Sequence, residues 1–554
     1  MASKHDSVIQ DMDRDSAGIP VDPSKGRSRP VWTVMFAFIA LCLSIFLVAL
    51  DTVLIPTALP TIAQSFDIHD SLYVWIGSAY LLANAASVPF WGKSSDIFGR
   101  KPIILVADLI FLVGSIICAL SKSASTLLAG RVIQGFGGGG VVVLVHVCVS
   151  DLFSIRDRSL YMGIVGFVWA VASALGPVLG GIFAEEVSWR WCFIVNIPIV
   201  SISVIVLYMT LDLHNPCTPL LTGLASLDWL GVITIIAAAI LLLVGLQVGS
   251  DESFAAPAAI VLIALGSVLS LAFPATQYWQ ESQGREPVLP LRIFKDMSNL
   301  SALGVCACDA LAFNSVAYFL PLYFQVVLGR SPSTSGLIML AVAIPLAIVS
   351  FGSGYMIERS GRFLEVLQAG LLLMTVGVGL LTSLRVSDDV GKNIAILVVL
   401  GLGFGPNFGA PLIALQTRVS QSDIAVGTAA FGFVRMIFGA VGVVAGQIVF
   451  QLLITPQLDH FVEAGMPLDV ANRLARNEAV SLRKTIAGLP QDQRLVARTG
   501  LTKALTGTWI LYTVVSGSGL LISFGIKRTK LERQPPRGGT SELEETERSS
   551  AQPC

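Results

Sequence analysis

Charged residues are scarce in this 554-residue chain. Aspartate, glutamate, lysine and arginine make up 13% of it, hydrophobic residues make up 54%, and the mean hydropathy is +0.75. A soluble globular chain has about 25% charged residues. Much of the surface therefore faces something other than water, which excludes an ordinary soluble protein. The net charge of −1 also argues against a nucleic-acid partner, because such a partner requires a basic patch.

Patterns typical of disulfides, metal sites and enzyme active sites are also missing. The eight cysteines lie mostly in apolar runs without zinc-ligand spacing, so we predict that they are packing residues. We find no metal-ligand cluster and no nucleophile–base pair. Gly137 to Gly140 lacks the Lys-Ser/Thr of a phosphate-binding loop. We therefore expect neither an enzyme nor a cofactor, and no ATP-binding domain to supply energy.

Long apolar runs, by contrast, are abundant. A membrane-spanning helix needs about 20 mostly apolar residues. Walking along the chain gives fourteen such runs, which predicts an all-α polytopic membrane protein in a lipid bilayer. The predicted spans are 31–62, 73–92, 102–121, 126–150, 160–184, 192–211, 228–249, 257–276, 298–328, 334–357, 364–385, 393–415, 425–453 and 503–526.

The distribution of basic residues predicts the orientation. An even number of spans places both termini on one side, and cytoplasmic loops are enriched in lysine and arginine. Cytoplasmic termini place most loop arginines and lysines inside, including the pairs Arg100-Lys101 and Lys527-Arg528. We therefore predict cytoplasmic termini. In the long outer segment 454–502, the helical spacing of apolar residues over 466–484 predicts an amphipathic helix or a solvated cap.

These spans divide the chain into five parts. We predict a cytoplasmic tail, a six-helix bundle, two extra spanning helices with a linker, a second six-helix bundle that contains the outer loop 454–502, and a second cytoplasmic tail. Their ranges are 1–30, 31–211, 212–297, 298–526 and 527–554.

Ionisable residues inside the spans are candidates for the mechanism, because each costs about 3 kcal/mol at mid-membrane on insertion scales. Asp51 and Arg131 both fall toward the outer half of their helices, so we predict that they pair. Asp51 would take and release a proton, and Arg131 would lower its proton affinity in one state. A purely structural salt bridge is the alternative. Asp309 is a second candidate, either as a proton site or as the counter-charge of a cationic substrate.

The remaining polar and aromatic candidates are less specific. We interpret Asp108 and His146 as packing groups and give Arg435 a structural role. A further set is predicted to line a substrate cavity, although most such residues are core or interface anchors. The set is Tyr80, Gln134, Trp169, Phe313, Tyr318, Tyr323 and Phe324.

The segment between the second and third spans has a specific pattern. It reads Gly-Lys-Ser-Ser-Asp-Ile-Phe-Gly-Arg-Lys, and we predict a tight loop in which two glycines permit the turn and the aspartate pairs with an arginine. Its spacing resembles the G-x-x-x-D-x-x-G-R-[RK] loop of the major facilitator superfamily. The residues of this predicted gating loop are Gly92, Lys93, Asp96, Gly99, Arg100 and Lys101.

Other motifs extend the resemblance over nearly the whole chain outside the tails. Leu50-Asp51-Thr52 resembles the first-helix motif of the family's drug exporters. Arg131 to Gly135 resembles its R-x-x-x-G motif, to which proton coupling is attributed. The fifth span resembles the antiporter motif of exporters through Gly176, Pro177, Gly180 and Gly181.

The resemblance implies a fourteen-helix drug/proton antiporter of the fungal multidrug or toxin efflux type. Two six-helix bundles and two extra central helices would export small, largely apolar organic molecules in exchange for protons. The alternatives are a siderophore or basic amino-acid transporter of the same fold, and a membrane sensor that transports nothing. We expect a monomer in the plasma membrane, with the vacuolar membrane as the alternative location.

Overall fold

The computed structural model describes residues 31–66, 70–213, 216, 218–251, 254–386, 389–420, 423–475 and 483–532. The chain divides into two units. Residues 36–533 form one compact body, and the second unit comprises 1–35 and 534–554, of which only the helical residues 31–35 are described. Both predicted tails therefore lie largely outside the described residues.

The described residues are helical and contain no strand. Short helical turns flank several of the long helices. Gly405–Phe408 and Ala410–Gln416, for example, continue the twelfth. The long helices are α1 Val31–Phe66, α2 Asp70–Phe98, α3 Arg100–Leu120, α4 Ala124–Leu152, α5 Arg158–Ile182, α6 Asn196–Thr210, α7 Trp229–Asp251, α8 Pro257–Ser282, α9 Met297–Leu322, α10 Pro332–Ser360, α11 Phe363–Leu381, α12 Val390–Phe404, α13 Ile424–Ile454 and α14 Gln491–Ser523.

Within the described residues, thirteen helices are long and apolar enough to cross a membrane. The remaining long helix, α2, is less apolar because it contains buried polar side chains such as Asn84 and Ser87. Protein groups surround these side chains. Ser87 and Trp91, for example, both donate to the carbonyl of Phe136 on α4, at 3.2 and 2.8 Å. The all-helical multi-pass fold is confirmed, while the count of fourteen crossings stays a prediction.

Two helix pairs join the halves of the bundle. α5 packs along α10, and α2 packs along α13. The extra helices α7 and α8 pack against each other, and α7 also contacts α2 and α13. The predicted site between the halves is therefore framed by α2, α5, α10 and α13.

The structure corrects two predicted boundaries. The segment 92–101 is not a loop, because α2 continues to Phe98 and α3 begins at Arg100. The last helix begins at Gln491 instead of 503, so part of the predicted outer loop 454–502 is helical. In the predicted amphipathic segment, Leu468–Ala475 is helical, with Val470, Ala471 and Leu474 buried against the protein. Residues 476–482 lie outside the described residues.

Candidate functional site

Asp51 of α1 is the centre of a buried polar network. Arg131 of α4 donates to its Oδ2. Gln134, one turn along α4, donates to Oδ1 at 3.0 Å, and Asn196 of α6 donates to the same oxygen at 3.3 Å. Asp51 and Arg131 are each 1% exposed. The pair predicted from the sequence is therefore in contact, and two neutral donors complete the shell of the carboxylate.

The Arg131 guanidinium is enclosed on its other sides. Its Nε donates to the carbonyl of Ile76 at 3.1 Å, and one terminal nitrogen donates to Gln134 Oε1 at 2.8 Å. The ring of Tyr80 lies 4.2 Å from the guanidinium carbon. A buried ion pair is tolerated only when its remaining donors and acceptors are bonded. This site meets that condition with groups from α1, α2, α4 and α6.

The exporter-like motif of α5 lies beside this network. A Cβ on Gly176 would lie 2.7 Å from Cγ2 of Val53, two residues after Asp51. Gly180 is buried, whereas a Cβ on Gly181 would meet no atom of the described residues within 4 Å. The backbone of Pro177 is helical, and its side chain is outside the described residues. Gly176 thus allows α5 to approach α1 next to the acid.

A second polar group lies in the C-terminal half. Arg435 of α13 lies 3.8 Å from Oδ2 of Asp309 in the middle of α9. The guanidinium carbon lies 4.2 Å from the ring centre of Phe408. Phe313 packs edge-on against Phe408, with ring centres 5.3 Å apart. Arg435 keeps 21% of its side chain exposed, so the cluster lies at the edge of an open space.

The aromatic residues predicted to line a substrate cavity occupy different environments. Phe313 and Trp169 are half-buried, and Tyr318 is exposed and accepts a bond from Gln447 at 3.0 Å. Tyr323 and Phe324 are each 1% exposed and belong to the core of the bundle. Tyr80 and Gln134 belong to the Asp51 network. These residues are therefore not gathered on one surface, and a lining role stays a prediction.

Asp108 and His146 lie outside the Asp51 network. Ser44 donates to Asp108 at 3.1 Å, and Ser44 in turn is bonded to Ser203 at 2.8 Å. His146 Nδ1 is bonded to the carbonyl of Val142 in its own helix at 2.7 Å.

The segment 92–101 has a different geometry from the predicted loop but the predicted ion pair. Arg100 donates to Asp96 at 2.6 Å and to Asp151, at the end of α4, at 3.0 Å. Gly99 has φ of 92°, a left-handed conformation that glycine adopts without strain, and this single residue separates α2 from α3. Lys101 lies 5.3 Å from the ring centre of Tyr208.

Further ion pairs join this segment to other parts of the chain. Lys93 donates to Glu286, in the connection after α8, at 2.7 Å, and this bond holds the pKa of Glu286 below its usual range. Arg292 binds Asp423, at the start of α13, through two bonds of 2.6 and 2.8 Å. These bonds lower the pKa of Asp423 in the same way. Both pairs lie at the predicted cytoplasmic end.

The two halves also contact each other at that end. Arg156 donates to the backbone carbonyl of Glu358 at 2.6 Å, and Arg158 donates to Gln416 at 2.9 Å. A Cβ on Gly354 of α10 would lie 3.1 Å from Cα of Gly163 on α5. The conformation is therefore closed at the predicted cytoplasmic end.

The sequence model of the Major Facilitator Superfamily matches residues 41–443. The chain belongs to the major facilitator superfamily. It is 40% identical over 504 residues to "Efflux pump dotC" of Dothistroma septosporum, covering 91% of this chain and 86% of the relative. It is also 40% identical over 509 residues to "MFS-type transporter ppz2" of Metarhizium majus, with 91% and 87% covered.

A solved major facilitator, the proton:xylose symporter XylE, has the same fold. The TM-score is 0.57 at 14% identity, covering 90% of this chain and 97% of the symporter. The family and the fold identify the chain as a multi-pass membrane transporter.

Sequence reasoning missed two members of the Asp51 network. They are Asn196, which donates to Asp51, and Ser115, which accepts from Gln134 at 2.9 Å. Both are polar residues inside apolar runs of this major facilitator, and both are buried. The cost of burying an unbonded polar group is the signal that could have found them.

Proposed function

We propose that this major facilitator is a proton-coupled efflux transporter, an antiporter that exports small, largely apolar organic compounds. The expected substrates are drugs and fungal secondary metabolites or toxins. The relative dotC is named an efflux pump, which supports the direction of transport. The exporter-like motif at Gly176 to Gly181 supports it independently. We place the transporter in the plasma membrane as a monomer with both termini cytoplasmic.

The observation that carries this proposal is the enclosed Asp51–Arg131 pair. Asp51 is bonded by side chains from two other helices, so a change in its charge is felt by α1, α4 and α6 together. A proton on Asp51 removes the attraction to Arg131 and frees a buried guanidinium, which costs several kcal/mol. The protonated and unprotonated forms therefore favour different packings of the N-terminal half, as coupling requires.

The energy source follows from the same site. An inward-moving proton gains about 2.3 kcal/mol per 100 mV of membrane potential. Binding that proton at Asp51 allows the gradient to bias the equilibrium between the two conformations. No ATP-binding domain is predicted from the sequence, so this gradient supplies the work of expelling the substrate.

The test is energised efflux of a fluorescent lipophilic dye from a yeast strain whose own pumps are deleted. We expect wild-type cells to expel the dye, a protonophore to stop the efflux, and Asp51→Asn to fail although it reaches the membrane. Asp108→Asn is the matched control, because Asp108 is an equally buried acid in the same half, and among the described residues Ser44 is its one side-chain donor. It is expected to retain efflux.

Two outcomes contradict the proposal. Efflux that continues in Asp51→Asn refutes coupling through this acid. Wild-type cells that move no dye across a broad panel favour the alternatives, a transporter of narrow specificity or a sensor that does not transport.

A further inference from the structure

We propose that Asp309 is a second proton-binding site and that it holds a proton in this conformation. The inference rests on the proposed function, because a bound proton serves transport only if transport is proton-coupled. It adds to that function which of the two candidate sites, Asp51 or Asp309, carries a proton while the protein is closed at the predicted cytoplasmic end.

Asp51 and Asp309 differ in the hydrogen bonds that their carboxyl groups accept. Both oxygens of Asp51 are bonded, one by Arg131 and the other by Gln134 and Asn196. Hydrogen bonds to the charged form of a carboxyl favour that form. In this conformation the carboxyl of Asp51 therefore has hydrogen-bond donors on both of its oxygens.

Asp309 has no comparable shell. Its Oδ1 is buried and has no hydrogen-bond partner among the described residues, and the whole residue is 1% exposed. Oδ2 lies 3.8 Å from Arg435, which is beyond hydrogen-bond distance. Burying a carboxylate costs free energy because it loses its hydration, and an oxygen without a hydrogen bond leaves most of that cost uncompensated. Binding a proton removes the charge and turns one of the oxygens into a donor.

The amide nitrogen of one neighbouring side chain, Asn407, donates to the carbonyl of Gly403 at 3.1 Å. The side chain of Asn407, in the turn after α12, interacts with Asp309. Oδ1 of Asn407 is itself buried without a hydrogen-bond partner among the described residues. A proton on Asp309 therefore adds a donor next to a side chain whose own acceptor is unbonded.

Few other titratable groups face this site from the described helices. Arg435 comes from α13, and His146 of α4 faces Arg435 from the other half. Cys306 and Cys308 lie on α9 itself. From α14, the residue that lies against Cys308 is Gly519, which has no titratable side chain. Arg435 is thus the charged group that opposes protonation, and its guanidinium is too far away to bond the carboxyl.

The proposed step is a simple association. A proton binds one carboxylate oxygen of Asp309, whose charge changes from −1 to 0, and Arg435 is left as the local positive charge. Loss of the proton restores the carboxylate, which can then close the gap to Arg435 and pull α9 toward α13. The unprotonated Oδ1 is also an acceptor for a hydroxyl or amine donor of a substrate in the opposite conformation. Proton and substrate donor would then compete for one atom, which is the requirement for exchange.

The experiment is infrared difference spectroscopy on the purified full-length protein in detergent micelles, with the proton itself as the ligand. Spectra are taken at neutral and at strongly alkaline pH. We expect the wild type to show the carbonyl stretch of a protonated carboxylic acid that disappears at alkaline pH. Asp309→Asn is expected to lose this band, whereas Asp51→Asn retains it. Asp309→Glu is expected to keep a band at a shifted position, and it carries the test if Asp309→Asn does not fold.

A band that persists unchanged in both Asp309 variants overturns the inference, as does a wild type without the band. Neither result affects the dye-efflux assay, which depends on Asp51. Conversely, a wild type that shows the Asp309 band but expels no dye contradicts the proposed function and leaves the protonated carboxyl intact as a finding.

Discussion

Single residues determine how closely the helices approach the acid of α1. Asp51 lies on α1 two residues before Val53, and Val53 contacts Gly176 of α5. Any side chain at position 176 must push the two helices apart. The position of Asp51 relative to Arg131 therefore depends on a glycine that bonds to neither of them.

We expect Gly176→Val to lower the initial rate of dye efflux by about tenfold. Overpacking of this kind costs about 1–3 kcal/mol, and about 1.4 kcal/mol corresponds to a factor of ten. The measurement is efflux at equal surface expression. Gly181→Val is the matched control, because a Cβ there meets nothing within 4 Å, and it should transport at the wild-type rate. Equal losses in both variants would show that the motif acts through something other than this contact.

At the scale of helices, the closed end depends on the contact between α5 and α10. Gly163 and Gly354 face each other there, and Ser350 donates to the carbonyl of Gly163 at 3.4 Å. Small residues let helix backbones approach closely in a membrane. This contact is made in the present conformation and must be released when the bundle opens to the other side.

We expect Gly354→Val to shift the protein toward the conformation that is open at the predicted cytoplasmic end. The check is the distance between spin labels placed at the exposed positions Asp157 and Ser360, which should lengthen. Gly352→Val on the same helix is the control, since a Cβ there meets nothing within 4 Å. A label distance that stays unchanged in Gly354→Val would refute the role of this contact.

The ion pair of Lys93 and Glu286 links α2 to the connection after α8, and it predicts a pH dependence. The pKa of Glu286 is lowered on folding by the bond from Lys93. The stability that this pair contributes is therefore present above the ordinary glutamate pKa of about 4.3 and is lost as pH falls through the lower, folded value.

Because Glu286 is largely exposed, the contribution is small, about 0.2–1 kcal/mol. Glu286→Gln should lower the melting temperature slightly at neutral pH, and the difference from wild type should vanish in strong acid. A difference that grows on acidification has the wrong sign for this account.

The sequence predicted the helices better than their ends. Apolar runs marked thirteen spanning helices, because lipid requires apolar side chains over a fixed length. The end of α2 was missed because residues 93–98 look like a charged loop. Lys93 is bonded by Glu286, which is distant in the sequence, and Asp96 is bonded by Arg100 at the start of α3. The start of α14 was missed because its first residues lie beyond the apolar run.

The candidate site was predictable in part for a similar reason. Counting along the helices placed Asp51 and Arg131 at the same depth, and two opposite charges buried at one depth have a strong reason to pair. The neutral donors Gln134 and Asn196 carry no such long-range signal. Arg435 was expected to be structural, and the structure places it next to Asp309 and Phe408. No local sequence pattern shows that Asp309, and not Asp51, lacks hydrogen-bond donors.

At the scale of the whole molecule, the transporter has one candidate proton site in each half, Asp51 and Asp309. The N-terminal acid is bonded on every side, and the C-terminal acid has an unbonded oxygen. Contacts near Arg156, Arg158 and Gly163 close the bundle at one end. Movement of the halves about these contacts would expose the space between them to one side and then to the other, as in other transporters built from two repeats.

The most direct test of proton-coupled export is proton movement in liposomes that contain the purified protein and an enclosed pH-sensitive dye. An outwardly directed gradient of a fluorescent lipophilic substrate should drive protons inward and acidify the interior with wild-type protein and with Asp108→Asn, but not with Asp51→Asn. Substrate that leaves wild-type liposomes without any acidification would contradict the central claim.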